Sequence, residues 1–254
     1  MGRSARGEEM KIALVSAPVK TGDIAFNAAS LMDSMEHCAG KADLVLFGES
    51  VLQGFDCLTW KYDADRYMAV SQRDAVIGKI CEMARKWQIA ASFGYIEKDG
   101  EALFSSQIVI DKAGEIVHNF RRVSIGWKDF TRTDGHYREG ERFEGFFLEG
   151  KKFAIGLCGD LWTEGKPEEM CALKADAVLW PVWCDYTAEE WNGGAKYEYA
   201  QQAHLCGNCV LYVNPFCVDK DTATGAKGGA ASFSGGRIEM ETPAGNEDTL
   251  FVEV

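Results

Sequence analysis

Apolar positions in this chain fall into short continuous runs that alternate with helical stripes. The first run, KIALVSAP at 11–18, reads as a strand. Thr21-Gly22-Asp23 makes a turn, and Asp23 or Asn27 is placed to cap a helix that ends near Cys38. Its apolar positions Ala28, Leu31, Met32, Met35 and Cys38 recur at helical spacing. In 42–50, ADLVLFGES, the run Leu44 to Phe47 is continuous rather than alternating, the signature of a strand covered on both faces. A long helix is expected over 64–87, with Val76, Ile80, Met83, Ala84 and Trp87 on its buried stripe. A third strand follows at 89–98, and SSQIVID then pairs with EIVHNFRR through the turn Lys112-Ala113-Gly114.

The second half repeats this grammar. Residues 143–148 and 151–157 form a strand pair around Glu149-Gly150. A short helix covers 165–173, and a buried strand covers 175–183. Residues 188–205 read as a helix weakened in its middle by Gly193-Gly194. Strands at 208–214, 228–234, 237–242 and 250–254 complete the pattern. Strands alternating with helices, then hairpins, predict an α/β layered fold with mixed sheets, whose functional residues collect at strand ends. Residues 11–254 form a single expected domain behind a leader at 1–10, since no linker or internal repeat divides them.

Composition changes this picture in three ways. A net charge of −12 argues against a nucleic-acid partner. No apolar run is long enough to span a membrane, and MGRSARGEEM has no apolar h-region, so a cytoplasmic protein is expected. Nine cysteines without an export signal read as reduced thiols. Cys206-Gly-Asn-Cys209 is a CxxC, but Cys217 does not complete a zinc ligand set, so the pair reads as structural and no metal or cofactor is expected.

Three strand ends carry the candidate chemistry. FAIGLCGDLWTEG at 153–165 delivers Cys158 at the end of a buried strand, with Gly159 next to allow close approach to the backbone. Glu49 ends the strand at 44–47 in the same way, and Arg121-Arg122 ends the hairpin. Taken singly, these residues also fit a buried structural thiol, a loop carboxylate and a solvated edge. Residues 124–140, with Trp127, Lys128, Asp134, His136 and Tyr137, show no periodicity, and a loop of this length more often serves a function than none.

The order of acid, cation and cysteine resembles the nitrilase superfamily of carbon–nitrogen hydrolases, across nearly the whole chain from Lys11. ADLVLFGESVLQGFD, with Glu49 and then Gly54-Phe55, is similar to that family's first landmark. IVIDKAGEIVHNFRRVSI resembles its lysine hairpin and IGLCGDLWTEG its nucleophile segment. ADAVLWPVW, AQQAHLCGN, VLYVN and GGAASFSGGRI follow in the family's order. The resemblance implies a four-layer αββα sandwich, often a homodimer or higher oligomer. It also implies a cofactor-free hydrolase of small amides, carbamoyl amines or ω-amides, with nitriles less favoured. Cys158 is then the nucleophile, Glu49 the general base, and the Gly159 backbone N–H part of an oxyanion hole.

The chain departs from the family at three points. Arg122 stands where the family has lysine, and arginine stabilises an oxyanion without giving up a proton. Lys128 is a second cation within the following loop. Thr133, with Asp134 beside it, stands where many amidase-type members carry a further glutamate. Gly159 and Trp162 stand where many members carry a larger side chain and an arginine. Phe55, Lys128, Asp134, Trp162 and Trp183 are accordingly candidates for substrate binding, the two tryptophans fitting core packing equally well. The alternative function is a catalytically silent relative that binds a small molecule or a partner protein through Arg122. A dimer, on this reading, rests on helix faces.

Overall fold

The computed structural model describes residues 9–219 and 224–254. Two six-stranded sheets lie face to face. The first has the order β14 (Thr249–Glu253), β1 (Lys11–Val15), β3 (Leu44–Phe47), β4 (Ala90–Asp99), β5 (Ala102–Ile110) and β6 (Ile116–Arg121). The second runs β13 (Arg237–Thr242), β12 (Ala230–Ser234), β10 (Val210–Val213), β9 (Ala177–Pro181), β8 (Lys151–Ile155) and β7 (Gly145–Leu148). Each has three parallel strands at its centre and antiparallel strands outside them, so both sheets are mixed.

The continuous apolar runs explain the layering. Alternate side chains of one strand leave opposite faces of its sheet. Ile12, Leu14, Leu44 and Leu46 enter a cluster with Phe153, Ile155, Leu179 and Leu211 of the second sheet. Their neighbours Ala13, Val15, Val45 and Phe47 pack instead with Leu31 and Met35 of α1 (Ile24–Cys38) and with Ile77, Ile80 and Ala84 of α3 (Ala75–Trp87). Met170 of α4 (Lys166–Ala172) and Tyr199, Ala200 and Ala203 of α6 (Lys196–Cys206) join the cluster that holds the second sheet. The result is the four-layer αββα sandwich. Each fully buried leucine, isoleucine or phenylalanine in these layers contributes about 1.5–3 kcal/mol.

Local differences from the sequence expectation have physical causes. The helix expected at 64–87 is two helices, α2 (Tyr62–Met68) and α3, separated by 69–74. β3 pairs only with the first residues of β4, and Val70 takes up part of the edge beyond: its N–H donates to Ile96 O at 2.9 Å and its carbonyl accepts from Lys98 N at 3.0 Å. The helix expected at 188–205 begins as α5 (Ala188–Glu190), widens into a π-helical turn at Trp191–Ala195 around the two glycines, and continues as α6. A small parallel pair, β2 (Pro18–Val19) with β11 (Phe216–Cys217), was not foreseen. Residues 1–8 of the expected leader lie outside the described residues. Met10, at its end, is buried and exchanges two backbone hydrogen bonds with Val254 at 2.9 Å, so sheet order begins there.

Two glycines set how closely the layers meet near the end of β3. A β-carbon on Gly48 would lie 2.4 Å from Pro215 Cδ and 2.9 Å from Val182 O. One on Gly94 would lie 2.2 Å from Ser50 N and 2.6 Å from Glu49 Cα. Both approaches hold the backbone of 48–50 between neighbouring strands, which fixes where the Glu49 carboxylate emerges.

Candidate active site

Glu49 sits just beyond β3 and is 1% exposed. Its N–H donates to Val182 O at 3.0 Å, which ties the end of β3 to the end of β9 across the two sheets. Its Oε1 accepts Ser105 Oγ at 2.8 Å and Arg122 Nη1 at 3.0 Å. Its Oε2 is buried without a hydrogen-bond partner among the described residues.

Arg122 follows β6. Its N–H donates to Ser105 O at 2.9 Å and its carbonyl accepts Gly140 N at 2.8 Å, so the backbone is pinned on both sides. The side chain divides its donors: Nε reaches Ser124 Oγ at 2.9 Å and Nη1 reaches Glu49. Nη2 has no hydrogen-bond partner among the described residues and faces Gly159, where a β-carbon would lie 2.5 Å from it. The glycine after the thiol is therefore the space the guanidinium occupies. Burial alone would lower the Arg122 pKa, but Glu49, Cys158 and Asp160 hold it above the ordinary value, so the group stays charged.

Cys158 follows β8 after Gly156-Leu157 and has φ +43°, a left-handed conformation rare for a residue with a side chain. Its carbonyl accepts Trp180 Nε1 at 2.9 Å, and its Sγ lies 3.8 Å from Trp183 O. The neighbouring Cys184 thiol, burial and the charge of Glu49 push its thiol well above the usual range, with Arg122 pulling the other way. Thiolate at neutral pH therefore requires a base at hand.

Asp160 holds the two halves of this arrangement together. It is 0% exposed. Its Oδ1 accepts Val123 N at 3.1 Å and Ser124 N at 2.7 Å, and its Oδ2 accepts Leu157 N at 3.0 Å. One carboxylate thus joins the chain after Arg122 to the chain before Cys158. Burial pushes this carboxyl up to about 6, against the pull of Arg122 and of the Ser124 and Leu157 bonds.

The structure brings Glu49, Arg122, Cys158, Gly159 and the Trp183 carbonyl together. The remaining sequence candidates make their contacts elsewhere. Phe55, in a short helical turn, meets Trp60 edge-on at 6.4 Å. Lys128 donates to Tyr137 O at 2.6 Å and pairs with Glu139 at 2.7 Å. Asp134 is exposed and bonds His136 through both its N–H and its ring. Trp162 is 44% exposed and packs on Trp180 and Tyr199. The Trp183 indole donates to Thr224 O at 3.1 Å.

Ser105, Ser124, Asp160 and Cys184 escaped the sequence reading. Ser105 carried a signal, because Ser105-Ser106-Gln107 is a polar run inside a strand that is buried throughout. The other three are single polar residues beside strand ends, and only the fold shows what they face.

Comparison with known proteins bears on the family and the fold. The carbon–nitrogen hydrolase family matches residues 11–213. The chain therefore belongs to that family, within the nitrilase superfamily. An (R)-stereoselective amidase of a Pseudomonas species is 23% identical over 172 residues, which cover 67% of this chain and 59% of that protein. A citrullinase of Francisella tularensis is 24% identical, over 66% of this chain and 62% of that one. The chain thus spans about three-fifths of the length of these two relatives. Among solved structures, an amidase variant from Nesterenkonia sp. AN1, with the acetamide moiety of fluoroacetamide added covalently to its active-site cysteine, superposes with a TM-score of 0.76 at 17% identity, over 100% of this chain and 93% of that one.

The Glu49–Arg122 pair makes a direct prediction. Arg122→Met strands a buried carboxylate and is expected to cost about 3–5 kcal/mol of stability, read from urea denaturation. The Glu49→Gln/Arg122→Met double variant is expected to be more stable than Arg122→Met alone. Losses that simply add would show that the two groups are not coupled.

Proposed function

We propose that the chain is a cysteine-dependent hydrolase of small amides or carbamoyl amines, working through a thioester. The observation that carries this reading is the buried Glu49 carboxylate, which has one oxygen committed to Arg122 and Ser105 and the other unpartnered. A carboxylate so arranged keeps an acceptor for the proton of a neighbouring thiol.

On this reading Glu49 Oε2 takes the Cys158 proton and the thiolate attacks the carbonyl carbon. The developing oxyanion is held by Arg122 Nη2 and the Gly159 N–H. Collapse expels ammonia or an amine, which takes its proton from Glu49. Glu49 then removes a proton from water, and hydroxide opens the thioester to regenerate the thiol. Because a guanidinium does not release protons at working pH, all proton traffic runs through Glu49. Arginine in place of lysine therefore changes the site from two possible proton carriers to one. Trp183 and Phe55 are retained as pocket walls, and Lys128 and Asp134 as substrate contacts supplied by their loop. Relatives named for an amide, a nitrile and citrulline support the C–N bond class. Association into a homodimer or larger assembly through helix faces belongs to the same proposal. No helix among the described residues is long and apolar enough to cross a membrane.

The same residues without turnover would make a binding protein, with Arg122 as the anchor. Ammonia release separates the two readings across a panel of small amides, carbamoyl amines, ω-amides and nitriles. The expected result is release that drops at least about 1,000-fold in Cys158→Ala, as removal of a covalent nucleophile demands. Silence across the panel from folded protein would favour the binding protein.

Asp160 adds a pH dependence. Above about 6 it is a carboxylate accepting three N–H groups, and below that it is protonated and a weaker acceptor. Activity is expected to fall on the acid side with a midpoint near 6. Asp160→Asn, neutral at every pH, is expected to run slowly throughout and to lack that limb in a kcat/KM profile. An unchanged limb in the variant would assign it to another group.

A further inference from the structure

Cys184 is a buried thiol that the proposed reaction leaves unused. Asn214 fixes its backbone from both sides: Cys184 N–H donates to Asn214 Oδ1 at 3.0 Å, and Asn214 Nδ2 donates to Cys184 O at 3.0 Å. Its Sγ lies 3.1 Å from Tyr199 Oη, and the residue is 7% exposed. The carbonyl of the preceding residue, Trp183, is the one 3.8 Å from Cys158 Sγ. The two cysteines stand beyond the ends of β8 and β9, which are parallel neighbours in register from Phe153↔Ala177 to Ile155↔Leu179. Cys158 also packs against the buried cluster that contains Cys184, which puts both thiols at the same end of the two strands.

A second thiol, one residue beyond the carbonyl that meets the Cys158 sulfur, stands where the chain can bring the two sulfurs together. We propose that Cys184 is a resolving thiol for Cys158, which closes a reversible disulfide onto it when a hydroperoxide oxidises the site. The proposal rests on Cys158 being the reactive thiol of the proposed function. The Cys158 thiolate attacks one oxygen of the peroxide, the O–O bond breaks, and Cys158 becomes a sulfenic acid as hydroxide or alkoxide leaves. The Cys184 sulfur then attacks the sulfenic sulfur. An S–S bond forms, the S–O bond breaks, and the Cys184 proton leaves with the hydroxyl as water. The thiol pair gives two electrons in total to the peroxide. An external dithiol returns them and restores both thiols.

The disulfide blocks turnover, because the nucleophilic sulfur is bonded. It also keeps Cys158 from reaching the irreversible sulfinic and sulfonic states. Residues that position Cys184, chiefly Asn214 and Tyr199, belong to the same device.

The test treats reduced, full-length protein with a stoichiometric amount of hydrogen peroxide, followed by intact mass and non-reducing peptide mapping. The expected result is a mass loss of about 2 Da and a cross-linked peptide joining Cys158 to Cys184, both reversed by dithiothreitol. Cys184→Ser is expected instead to gain about 32 or 48 Da at Cys158, unaffected by dithiothreitol. Sulfinic or sulfonic Cys158 in the wild type without the cross-link would overturn the proposal. So would a cross-link confined to Cys206 and Cys209. The mass readout needs no turnover, so a chain that releases no ammonia still decides the question.

Discussion

The rest of the site depends on one buried ion pair, Glu49 with Arg122 at 3.0 Å, their side chains 1% and 6% exposed. Removing two such charges from water costs several kcal/mol per ion, and their mutual attraction is of the order of 4 kcal/mol at that range in a protein interior. The pair therefore needs further hydrogen bonds, and the fold supplies them. Ser105 bonds the carboxylate, Ser124 bonds the guanidinium, and Asp160 anchors the Ser124 backbone. Each comes from a different segment, so the pair fixes the end of β3, the hairpin β5–β6 and the turn before Cys158 relative to one another. The backbone bond from Glu49 to Val182 extends that fixing to the second sheet.

This constraint also shapes the chemistry proposed for the site. The guanidinium is larger than an ammonium, and its third nitrogen lies where a side chain at 159 would stand. Arg122 and Gly159 are thus one structural decision rather than two. Placing a permanent cation beside a thiol and a carboxylate holds the carboxylate in its place while leaving one oxygen available. In the proposed mechanism it also makes Glu49 the single proton carrier, and the unpartnered Oε2 bears on that same step. The left-handed backbone at Cys158 is held against its strain by the Trp180 indole bond to its carbonyl and by the Asp160 clamp just before it.

Much of this was legible from sequence because strand ends announce themselves. The continuous runs before Glu49 and Cys158 are covered on both faces, so their last residues had to emerge at fixed places. The same runs imply an α/β layered fold with mixed sheets, and the four-layer αββα arrangement is what the resemblance to the nitrilase superfamily adds. Less legible were features that depend on a partner distant in sequence. The split of 64–87 into two helices reflects an exposed strand edge that Val70 fills, and no local pattern encodes that edge. Met10 joins the sheet only because Val254 lies opposite it. Asp160 carries no local signal of its role, yet it is fully buried and accepts from chain 36 residues away. Lys128 and Asp134 were candidates by type, and their contacts with Tyr137, Glu139 and His136 within the loop could be read only from the fold. Cys184 was hidden behind the more conspicuous CxxC at 206–209.

The central claim is that Glu49 and Arg122 serve Cys158 as a nucleophile. The most direct measurement incubates the wild-type chain, and beside it the Glu49→Gln variant, with a small reactive amide such as fluoroacetamide, and maps the adduct among the nine cysteines by peptide mass over time. The account predicts one covalent adduct, on Cys158, which forms in the wild type and much more slowly in the variant that lacks the base. No adduct on folded protein, or an adduct spread over other cysteines with Cys158 untouched, would contradict it.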